Sequence, residues 1–566
     1  MSRVLNDPDD FPGQAVAGLA SAFPQHLKPV FGGVARATVT RPGKVALVVG
    51  GGSGHYPAFS GWVGQGFSDG AVCGNIFSSP SGAQAYSVCK AADRGAGVLI
   101  GFGNYAGDVL QFGQAAERLK SEGIEARCLL VTDDIASAGP EELAKRRGIA
   151  GDLPTFKVTG AACEAGMSVD EVEAVFNRVN HRTRSFGVAF KGCTLPGADH
   201  PLFEVTDGRM GVGMGIHGEP GIHDADLGTA DDLARMLVDG LLADRPDEAG
   251  SRVVPIVNGL GDTKYEELFV IWNDIRRRLV EAGLEIVDPQ VGEFVTSLDM
   301  AGLSLTLLWL DEVIEPLWLA PCDTPAYRRG AVSEVELDTA ELSQQAEEVT
   351  VATAGSPASQ EVANTVVGAL DLIRSILMSR QEELGRLDSI AGDGDHGIGM
   401  TRGSTAAVAA AREVAAEGAG ALTTLAAAGA AWSEQAGGTS GALWGAALTA
   451  FGTVLGDDQG CHPGTVVEAA AASLDAVKRL GGAQLGDKTM IDAMEPFVET
   501  LRATGTDLPT AWGAAVLAAD QGARSTAGIV ARLGRSRPLG EKSLGTPDPG
   551  AISFVDVVRA VGSVIG

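Results

Sequence analysis

Short runs of β-branched and other apolar residues alternate with longer stretches of helical period over roughly the first 330 residues. Five of these runs are predicted to be buried strands, at 45–49, 97–102, 126–132, 253–258 and 304–310. Several lead into a glycine-rich turn and then a helix-like segment, such as 108–120. Strands that alternate with helices in this way are typical of an α/β domain with a largely parallel sheet.

From residue 360 onward the pattern changes to long Ala- and Leu-rich stretches broken by glycine-rich turns. These stretches cover 362–384, 404–434, 441–455, 465–480 and 509–534, with little strand-like alternation. Because alanine has the highest helix propensity and little bulk, they predict an all-α domain of closely packed helices.

The segment between the two patterns, at 331–360, is acidic, rich in Ala, Ser and Thr, and poor in large apolar residues. It is predicted to be an interdomain linker, with a polar surface helix inside one domain as the alternative. The predicted organisation is therefore multidomain. It has an α/β domain at 1–330 with subdomains of about 1–185 and 186–330, a linker at 331–360, and an all-α domain at 361–566.

Acidic residues outnumber basic ones by 72 to 43, and the net charge is −29. Nucleic-acid binding requires a basic surface, and an anionic membrane surface would also repel this chain. Neither is an expected partner. Any phosphate site must depend on backbone amides, helix ends and metal ions more than on a positive field.

The seven cysteines are spread along the chain, and no two lie within four positions of each other. This spacing indicates neither a zinc site nor a disulfide framework. The N-terminal segment is acidic and lacks the apolar stretch of a signal peptide. No apolar run is expected to approach the ~20 residues of a membrane helix, so the sequence predicts a cytoplasmic protein.

The best metal candidate is an acidic cluster at 387–400, where Asp388, Asp393 and Asp395 are interleaved with glycines. A glycine-supported loop can turn three carboxylates toward one point, where they repel each other unless cations lie between them. Magnesium bound through carboxylates, waters and nucleotide phosphates fits this composition. The alternative is a solvated acidic turn with helix-capping aspartates. His396 adjoins the cluster.

A second candidate lies at 436–445, where a glycine pair and a hydroxyl pair open an Ala-rich helix. Exposed amides at a helix N-terminus bind phosphate readily, so Gly438, Thr439 and Ser440 are candidate phosphate-binding residues. A plain interhelical turn capped by Ser440 is the alternative.

Two better-known nucleotide-binding motifs have counterparts in the sequence, but neither is predicted to bind a nucleotide. Residues 481–489 resemble a Walker A loop, but Asp487 interrupts the pattern and no strand precedes it. Residues 213–218 match the dinucleotide-binding motif GxGxxG, but no buried strand precedes them. Residues 101–106 do follow a strand. Neither segment has a clear acidic residue about 20 positions later that could bind the ribose. A dinucleotide-dependent oxidoreductase is therefore not favoured.

Three glycine-rich loops of the first domain carry polar side chains: Ser53 and His55 at 48–61, Asn104 and Asp108 at 101–108, and His217 and Glu219 at 213–222. Ligands of open parallel sheets bind beyond the carboxyl ends of the strands. Two histidines and a carboxylate on such loops could provide a nucleophile and an acid/base pair. The alternative is that each histidine only hydrogen-bonds the backbone of its own loop.

Taken together, these motifs resemble the dihydroxyacetone kinase family. Those of the first domain that resemble the family's substrate-binding domain are GGGSGHYPAFSGWVGQG, CGNIFSSPS, NYAGD, GMGIHGEPG and SLDMAGLSLTLLWLDE. Those that resemble its nucleotide-binding domain are GDGDHGIGM, GGTSGALWG, GDKTMIDAM and GEKSLGTPDPGA. The matches run in family order from about residue 10 to 560.

For the first domain, the resemblance implies that His217 forms a covalent hemiaminal with the carbonyl of a ketose. It implies that His55 and Asp108 act on the substrate hydroxyls. Gly52 and Ser53 would lie in the loop that cradles the substrate, with Asn104 beside it.

For the second domain, the resemblance implies an α-helical barrel that binds ATP through two magnesium ions held by the three aspartates, 388, 393 and 395. The residues that fall in matching nucleotide loops are His396, Gly438, Thr439, Ser440, Arg535 and Asp548. Both domains share one chain, which resembles the ATP-using form of the family, and members are typically homodimers.

One departure bears on the substrate. The family usually has GHEPA where this chain has GHYPA, so Tyr56 replaces an acid beside the substrate loop. The resemblance therefore predicts an ATP-dependent kinase that phosphorylates a terminal hydroxyl of a short-chain ketose, either four-carbon erythrulose or dihydroxyacetone. The alternatives are an FAD-AMP lyase that forms cyclic FMN on the same fold, and a non-catalytic ketose-sensing regulator.

Overall fold

The computed structural model describes residues 4–219, 221–343, 354–390, 392, 394–504, 507–533 and 542–565. The chain divides into two compact units, Met1–Ala346 and Glu347–Gly566. The first contains β-sheets and helices, and the described part of the second is helical. This confirms the predicted fold class of an α/β domain followed by an all-α domain.

The first sheet of the α/β unit has six strands in the order β1-β2-β4-β3-β5-β6. They are β1 Leu27–Val30, β2 Gly33–Arg36, β3 Ala46–Ser53, β4 Gly70–Ile76, β5 Val98–Gly103 and β6 Ala126–Val131. Strands β4, β3, β5 and β6 are parallel, whereas β1 and β2 run antiparallel at one edge. All but the last residue of β3 are buried, as expected for a parallel strand covered by helices on both faces.

The second sheet is mainly antiparallel, with the order β11-β10-β13-β7-β8-β9 and β12 beside β10. Its strands are β7 Thr183–Lys191, β8 Arg209–Val212, β9 His223–Asp226, β10 Arg252–Gly259, β11 Glu285–Ile286, β12 Gln290–Gly292 and β13 Ala301–Trp309. Only β11 and β12 run parallel to their neighbour β10. The predicted parallel arrangement is therefore wrong for this sheet. Strands β10 and β13 are buried along almost their whole length, so their composition does not reveal their direction.

Eight α-helices, two short 3₁₀ helices and a short hairpin complete the described part of this unit. The helices are α1 Phe11–Ala22, α2 Gly82–Ala92, α3 Ala106–Ser121, α4 Asp152–Ala165, α5 Val169–His181, α6 Ala230–Ala243, α7 Tyr265–Glu281 and α8 Ile314–Trp318; the hairpin strands are β14 Cys322–Asp323 and β15 Arg328–Arg329. Helices α2 and α3 cover one face of the first sheet. Helices α1, α4 and α5 pack with the core residues of its other face. Helices α6 and α7 pack on the second sheet.

The first half of the predicted linker is tied to the α/β unit. The amide of Val39 donates to the carbonyl of Glu336 at 2.8 Å, and the amide of Asp338 donates to the carbonyl of Ala37 at 2.9 Å. The chain therefore continues along the edge of this unit after β15. Residues 344–353 lie outside the described residues, and the next helix already begins at Pro357, within the predicted linker.

Eight α-helices account for most of the described part of the second unit. They are α9 Pro357–Asp388, α10 His396–Ala416, α11 Ala421–Ala436, α12 Gly438–Leu455, α13 Pro463–Gly481, α14 Ile491–Ala503, α15 Leu508–Ser525 and α16 Pro549–Ile565. Each helix packs against the next, and α16 packs against α9, which closes the ring. Small residues allow the close approach, since a Cβ on Gly403 would lie 2.5 Å from the ring of Trp432.

By length and composition alone, one described helix, α9, could cross a membrane, which is weak evidence for a membrane span. The expectation that no stretch approaches that length is therefore not met. Leu370, Ile373 and Leu377 of this helix are nevertheless buried in the apolar core of the helical unit. Packing against neighbouring helices thus accounts for these three residues, whereas Leu372 and Met378 of the same helix are exposed.

Candidate active site

Two histidines from separate sheets meet in the α/β unit. His55 follows the end of β3, and His217 lies in the loop between β8 and β9. Their Nε2 atoms are 3.0 Å apart, and the two side chains are almost fully buried, with 1% and 7% of their surfaces exposed. The structure therefore brings together two residues that are 162 positions apart.

The outer nitrogens of this pair fix its tautomers. His55 Nδ1 lies 2.7 Å from the carbonyl oxygen of Thr296, and His217 Nδ1 lies 3.1 Å from Oε1 of Glu219. A carbonyl and a carboxylate only accept hydrogen bonds, so each Nδ1 carries the proton of a neutral ring. Both Nε2 atoms then present lone pairs to each other, and a 3.0 Å contact between them requires one shared proton.

The surrounding charges suit a histidine pair that carries one positive charge and not two. Burial, followed by the neighbouring His217, lowers the pKa of His55 to about 3. Glu219 is buried and also accepts the backbone N–H of His217 at 3.0 Å. Arg147 lies between Glu219 and Asp134, with Nη2 2.7 Å from the Asp134 carboxylate and Nη1 4.0 Å from Glu219. Two buried carboxylates against one guanidinium leave a net negative charge, which stabilises a single imidazolium.

Aromatic rings wall the histidine pair. Phe77 stacks on His55 with ring centroids 5.0 Å apart. Tyr105 meets His217 edge-on at 4.6 Å, and its hydroxyl donates to the carbonyl of Gly148. Neither ring could be chosen from the sequence, because isolated aromatic residues after strands usually belong to a core.

Asp108 and Asn104 lie close to Tyr105 in the chain but do different things. Asp108 is the third residue of α3 and is buried, and its charge helps to raise the pKa of Asp152, after burial itself and Asp133. The side-chain amide of Asn104 instead donates to the carbonyls of Ala144 and Arg146 at 3.0 and 2.8 Å. Asn104 therefore holds the loop that leads to Arg147, while its predicted substrate contact stays a prediction.

Gly52 and Ser53 shape the end of β3. The Ser53 hydroxyl donates to the carbonyl of Gly74 at 2.6 Å, and a Cβ on Gly52 would lie 2.7 Å from the amide nitrogen of Ser78. Tyr56 is 45% exposed. With Gly52 and Ser53 it lines a cavity of about 490 Å³ whose other wall is α1.

In the helical unit, carboxylates gather where α9 ends and α10 begins. Asp388 is the last residue of α9, and its Oδ2 accepts the backbone N–H of His396 at 3.3 Å. Burial and the nearby Asp388 raise the pKa of Asp395 to about 7. Burial, with a further contribution from Asp388, raises the pKa of Asp548 to about 7 as well. Asp393 lies outside the described residues.

This donor set fits a divalent cation. Asp388, Asp395 and Asp548 are partly buried. Carboxylates gathered in such a place are destabilised without a counter-charge, and oxygen ligands are those that Mg²⁺ prefers. Within the ranges that the structure describes, no three His, Cys, Asp or Glu side chains form a metal-holding group. The ligand set of Asp388, Asp393 and Asp395 thus stays a prediction.

Among the predicted nucleotide residues, Ser440 contacts His396, which lies at the start of α10. Its Nε2 is 2.9 Å from the hydroxyl of Ser553 on α16, and its Nδ1 is 3.4 Å from the hydroxyl of Ser440 on α12. Burial lowers the pKa of this imidazole. Gly438 has a φ of +58° and starts α12, followed by Thr439.

Asp548 caps α16, because its Oδ1 accepts the amide of Ala551 at 2.7 Å. Helices α10, α12 and α16 therefore begin near one another, with several amides available for an anion. Arg535 lies outside the described residues. Ser553 was not predicted from the sequence, since a lone serine in a Val-rich segment carries no signal.

Comparison with known proteins covers both units. The chain matches a Dak1 domain at residues 17–326 and a DAK2 domain at 390–563. It is 54% identical to the L-erythrulose 1-kinase of Mycolicibacterium smegmatis, over 99% of each chain. It is 51% identical to the D-erythrulose kinase of the same organism, over 100% of this chain and 99% of the relative.

A solved structure agrees. The dihydroxyacetone kinase from C. freundii, in complex with AMP-PNP and Mg²⁺, is 30% identical and aligns over 99% of both chains with a TM-score of 0.54. These matches confirm the resemblance inferred from the motifs and do not favour the lyase or the regulator. The chain therefore belongs to the dihydroxyacetone kinase family and is an ATP-dependent ketose kinase with both of its domains in one polypeptide.

Proposed function

We propose that this kinase phosphorylates erythrulose, and that it holds the sugar as a hemiaminal on His217. The observation that carries the proposal is the Nε2–Nε2 contact of 3.0 Å between His217 and His55. The full-length similarity to kinases named for L- and D-erythrulose supports the four-carbon substrate.

Capture of the ketose uses the single proton shared by the histidine pair. The lone pair on His217 Nε2 attacks the carbonyl carbon, and the C=O π bond breaks as the N–C bond forms. As the ring of His217 turns to the substrate, the shared proton passes to His55 Nε2. Because the pKa of His55 is lowered to about 3, that ring does not keep the proton and gives it to the carbonyl oxygen. The ring of His217 then carries the positive charge, which Glu219 stabilises from Nδ1 at 3.1 Å.

Activation of the terminal hydroxyl falls to Asp108. This buried carboxylate lies in the first turn of α3, three residues after Tyr105, whose ring contacts His217. A carboxylate in such a place can accept the hydroxyl proton as the oxygen attacks phosphorus. Gly52, Ser53 and Asn104 would keep the two substrate loops in position around the sugar.

In the helical unit, Asp388, Asp393 and Asp395 would hold two magnesium ions. Magnesium supplies neutralisation of the charge on the triphosphate of ATP. The first turns of α10, α12 and α16 would bind the nucleotide through His396, Gly438, Thr439 and Ser440, together with Arg535 and Asp548. Phosphoryl transfer needs mainly this positioning and charge neutralisation.

Family membership supports a cytoplasmic homodimer that binds the ketose and ATP. Size-exclusion chromatography with light scattering would test the oligomeric state.

A substrate panel tests the proposed function. ADP release would be measured with L-erythrulose, D-erythrulose, dihydroxyacetone and glyceraldehyde, and NMR would identify the phosphorylated carbon. One erythrulose enantiomer should have the highest kcat/KM. A tenfold preference for dihydroxyacetone over both enantiomers, or ADP release that ignores the sugar, would refute the proposal. FAD with Mn²⁺ should give no cyclic FMN.

A further inference from the structure

A buried lysine holds the loop between α13 and α14 at a point that the proposed reaction does not use. Lys488 is 6% exposed and adopts a φ of +64°, which is uncommon for a residue with a side chain. The loop around it is fixed by Asp492, whose carboxylate accepts the amides of Gly486 and Thr489 at 2.6 and 2.8 Å. The backbone thus directs this side chain inward.

The ammonium group of Lys488 lies among four backbone carbonyls. Its Nζ is 2.9 Å from the oxygen of Thr526, 3.2 Å from that of Ile529, and 2.7 Å from those of Ser543 and Thr546. An ammonium has three N–H donors, so at least one is shared between two oxygens. The group therefore acts as a compact point charge among carbonyl dipoles, much as a bound monovalent cation does.

These four carbonyls belong to two chain segments. Thr526 and Ile529 follow α15, whereas Ser543 and Thr546 precede α16. Burial lowers the pKa of Lys488, because it disfavours the charged form of the amine. Contacts with the four carbonyl oxygens offset this cost. Without the ammonium, four carbonyl oxygens of like partial charge would converge, and the two segments would separate.

Hydrogen bonds connect the residues that contact the Lys488 ammonium to residues of the proposed nucleotide site. The hydroxyl of Thr526 accepts the backbone N–H of Asp548 at 2.8 Å. Asp548 in turn caps α16, and Ser553 in the first turns of that helix contacts Nε2 of His396. The ammonium thus determines where α16 begins, and with it the positions of Asp548 and Ser553.

We propose that Lys488 is a positioning residue of the nucleotide site, in which its ammonium serves as a built-in monovalent cation that holds the start of α16 in its binding geometry. The inference rests on the proposed ATP site. It assigns Lys488 no contact with the nucleotide.

Substitution with glycine, which tolerates the positive φ, tests the inference by opening a cation site. Lys488→Gly should raise the KM for ATP at least tenfold, with little change in the KM for ketose. Methylammonium, ammonium or potassium at millimolar concentration should lower the KM for ATP again by binding the four carbonyls. Lys488→Met fills the space without charge, so the same cations should not rescue it. The control is Lys478→Ala, which removes a partly exposed lysine paired with Glu495.

A second pair of variants keeps the test decisive if Lys488→Gly does not fold. Thr526→Val removes the hydroxyl that accepts the Asp548 amide and should raise the KM for ATP about three- to tenfold, whereas Thr526→Ser should restore it.

Two results would overturn the inference: a folded Lys488→Gly enzyme with an unchanged KM for ATP, or a raised KM that none of these cations lowers. ATP titration of the wild type separates this from failure of the proposed function. Absence of binding there would refute the nucleotide site, and this inference with it.

Discussion

Nε2 of His217 faces Nε2 of His55 at 3.0 Å, while the Nδ1 atom of each ring points at an oxygen that can only accept. A nucleophile and a proton donor are thereby placed together before any substrate arrives. Such preorganisation lowers the cost of forming a covalent bond to a carbonyl.

Loss of the nucleophile should abolish turnover without affecting the nucleotide. His217→Ala should reduce kcat/KM for erythrulose by roughly 10³-fold or more, because the imidazole both binds and orients the ketose. ATP–magnesium binding, measured by calorimetry, should persist. His200→Ala is the matched control, since that histidine is exposed. Normal turnover of His217→Ala at low ketose concentration would exclude the covalent anchor.

Glu219 should matter through the tautomer and charge of His217. Glu219→Gln keeps the shape of the side chain but removes the charge that stabilises the imidazolium. We expect kcat/KM for ketose to fall by about 10–100-fold, with the KM for ATP unchanged. The exposed Glu204 provides the control, as Glu204→Gln. An equal loss in both variants would argue against a specific role for Glu219.

The lowered pKa of His55 should make the α/β unit sensitive to acid. In the folded state this pKa is about 3, below its ordinary value of 6.5, so the unfolded state binds more protons between those two values. Stability should therefore fall as the pH drops through this window, by about 2 kcal/mol between pH 8 and pH 5. His217 and Glu219, which face His55, contribute to its environment.

Hydrogen exchange of peptides from β3, corrected for the intrinsic rate at each pH, would measure this loss. His55→Gln removes the titrating ring and should flatten the dependence. If wild type and variant lose protection in parallel, His55 is not the source of the acid sensitivity.

Much of the fold could be predicted because buried segments appear in the sequence as runs of apolar residues. The predicted strand at 45–49 corresponds to β3, and that at 253–258 to β10, since runs of buried apolar residues are hard to place elsewhere. Helices α14 and α16 were not predicted. The first contains Pro496 in its interior, and the second is rich in β-branched residues such as Val557 and Val558, which favour strands when taken locally.

Residues of the site were predictable only where the residue type is one that commonly takes part in catalysis. His55, His217 and Asp108 stand out in glycine-rich loops, whereas Arg147 does not, because its importance comes from reaching Asp134 and Glu219 across the fold. The roles of Asn104 and Lys488 are likewise invisible locally. Their partners are backbone carbonyls, and any residue supplies those.

Removal of a carboxylate at the α9–α10 junction should abolish the stabilisation of the protein by ATP with Mg²⁺, without destabilising the apo protein. Asp388 and Asp395 are close enough for one to raise the pKa of the other, so Asp388→Asn should relieve repulsion in the apo protein and leave its Tm unchanged or slightly higher. Addition of ATP with Mg²⁺ should raise the Tm of the wild type and of the exposed control Asp458→Asn, because a ligand stabilises the state that binds it. The same addition should leave Asp388→Asn unmoved, and EDTA should cancel the shift in the other two proteins. A normal magnesium-dependent shift in Asp388→Asn would mean that this carboxylate is a helix cap and not a ligand.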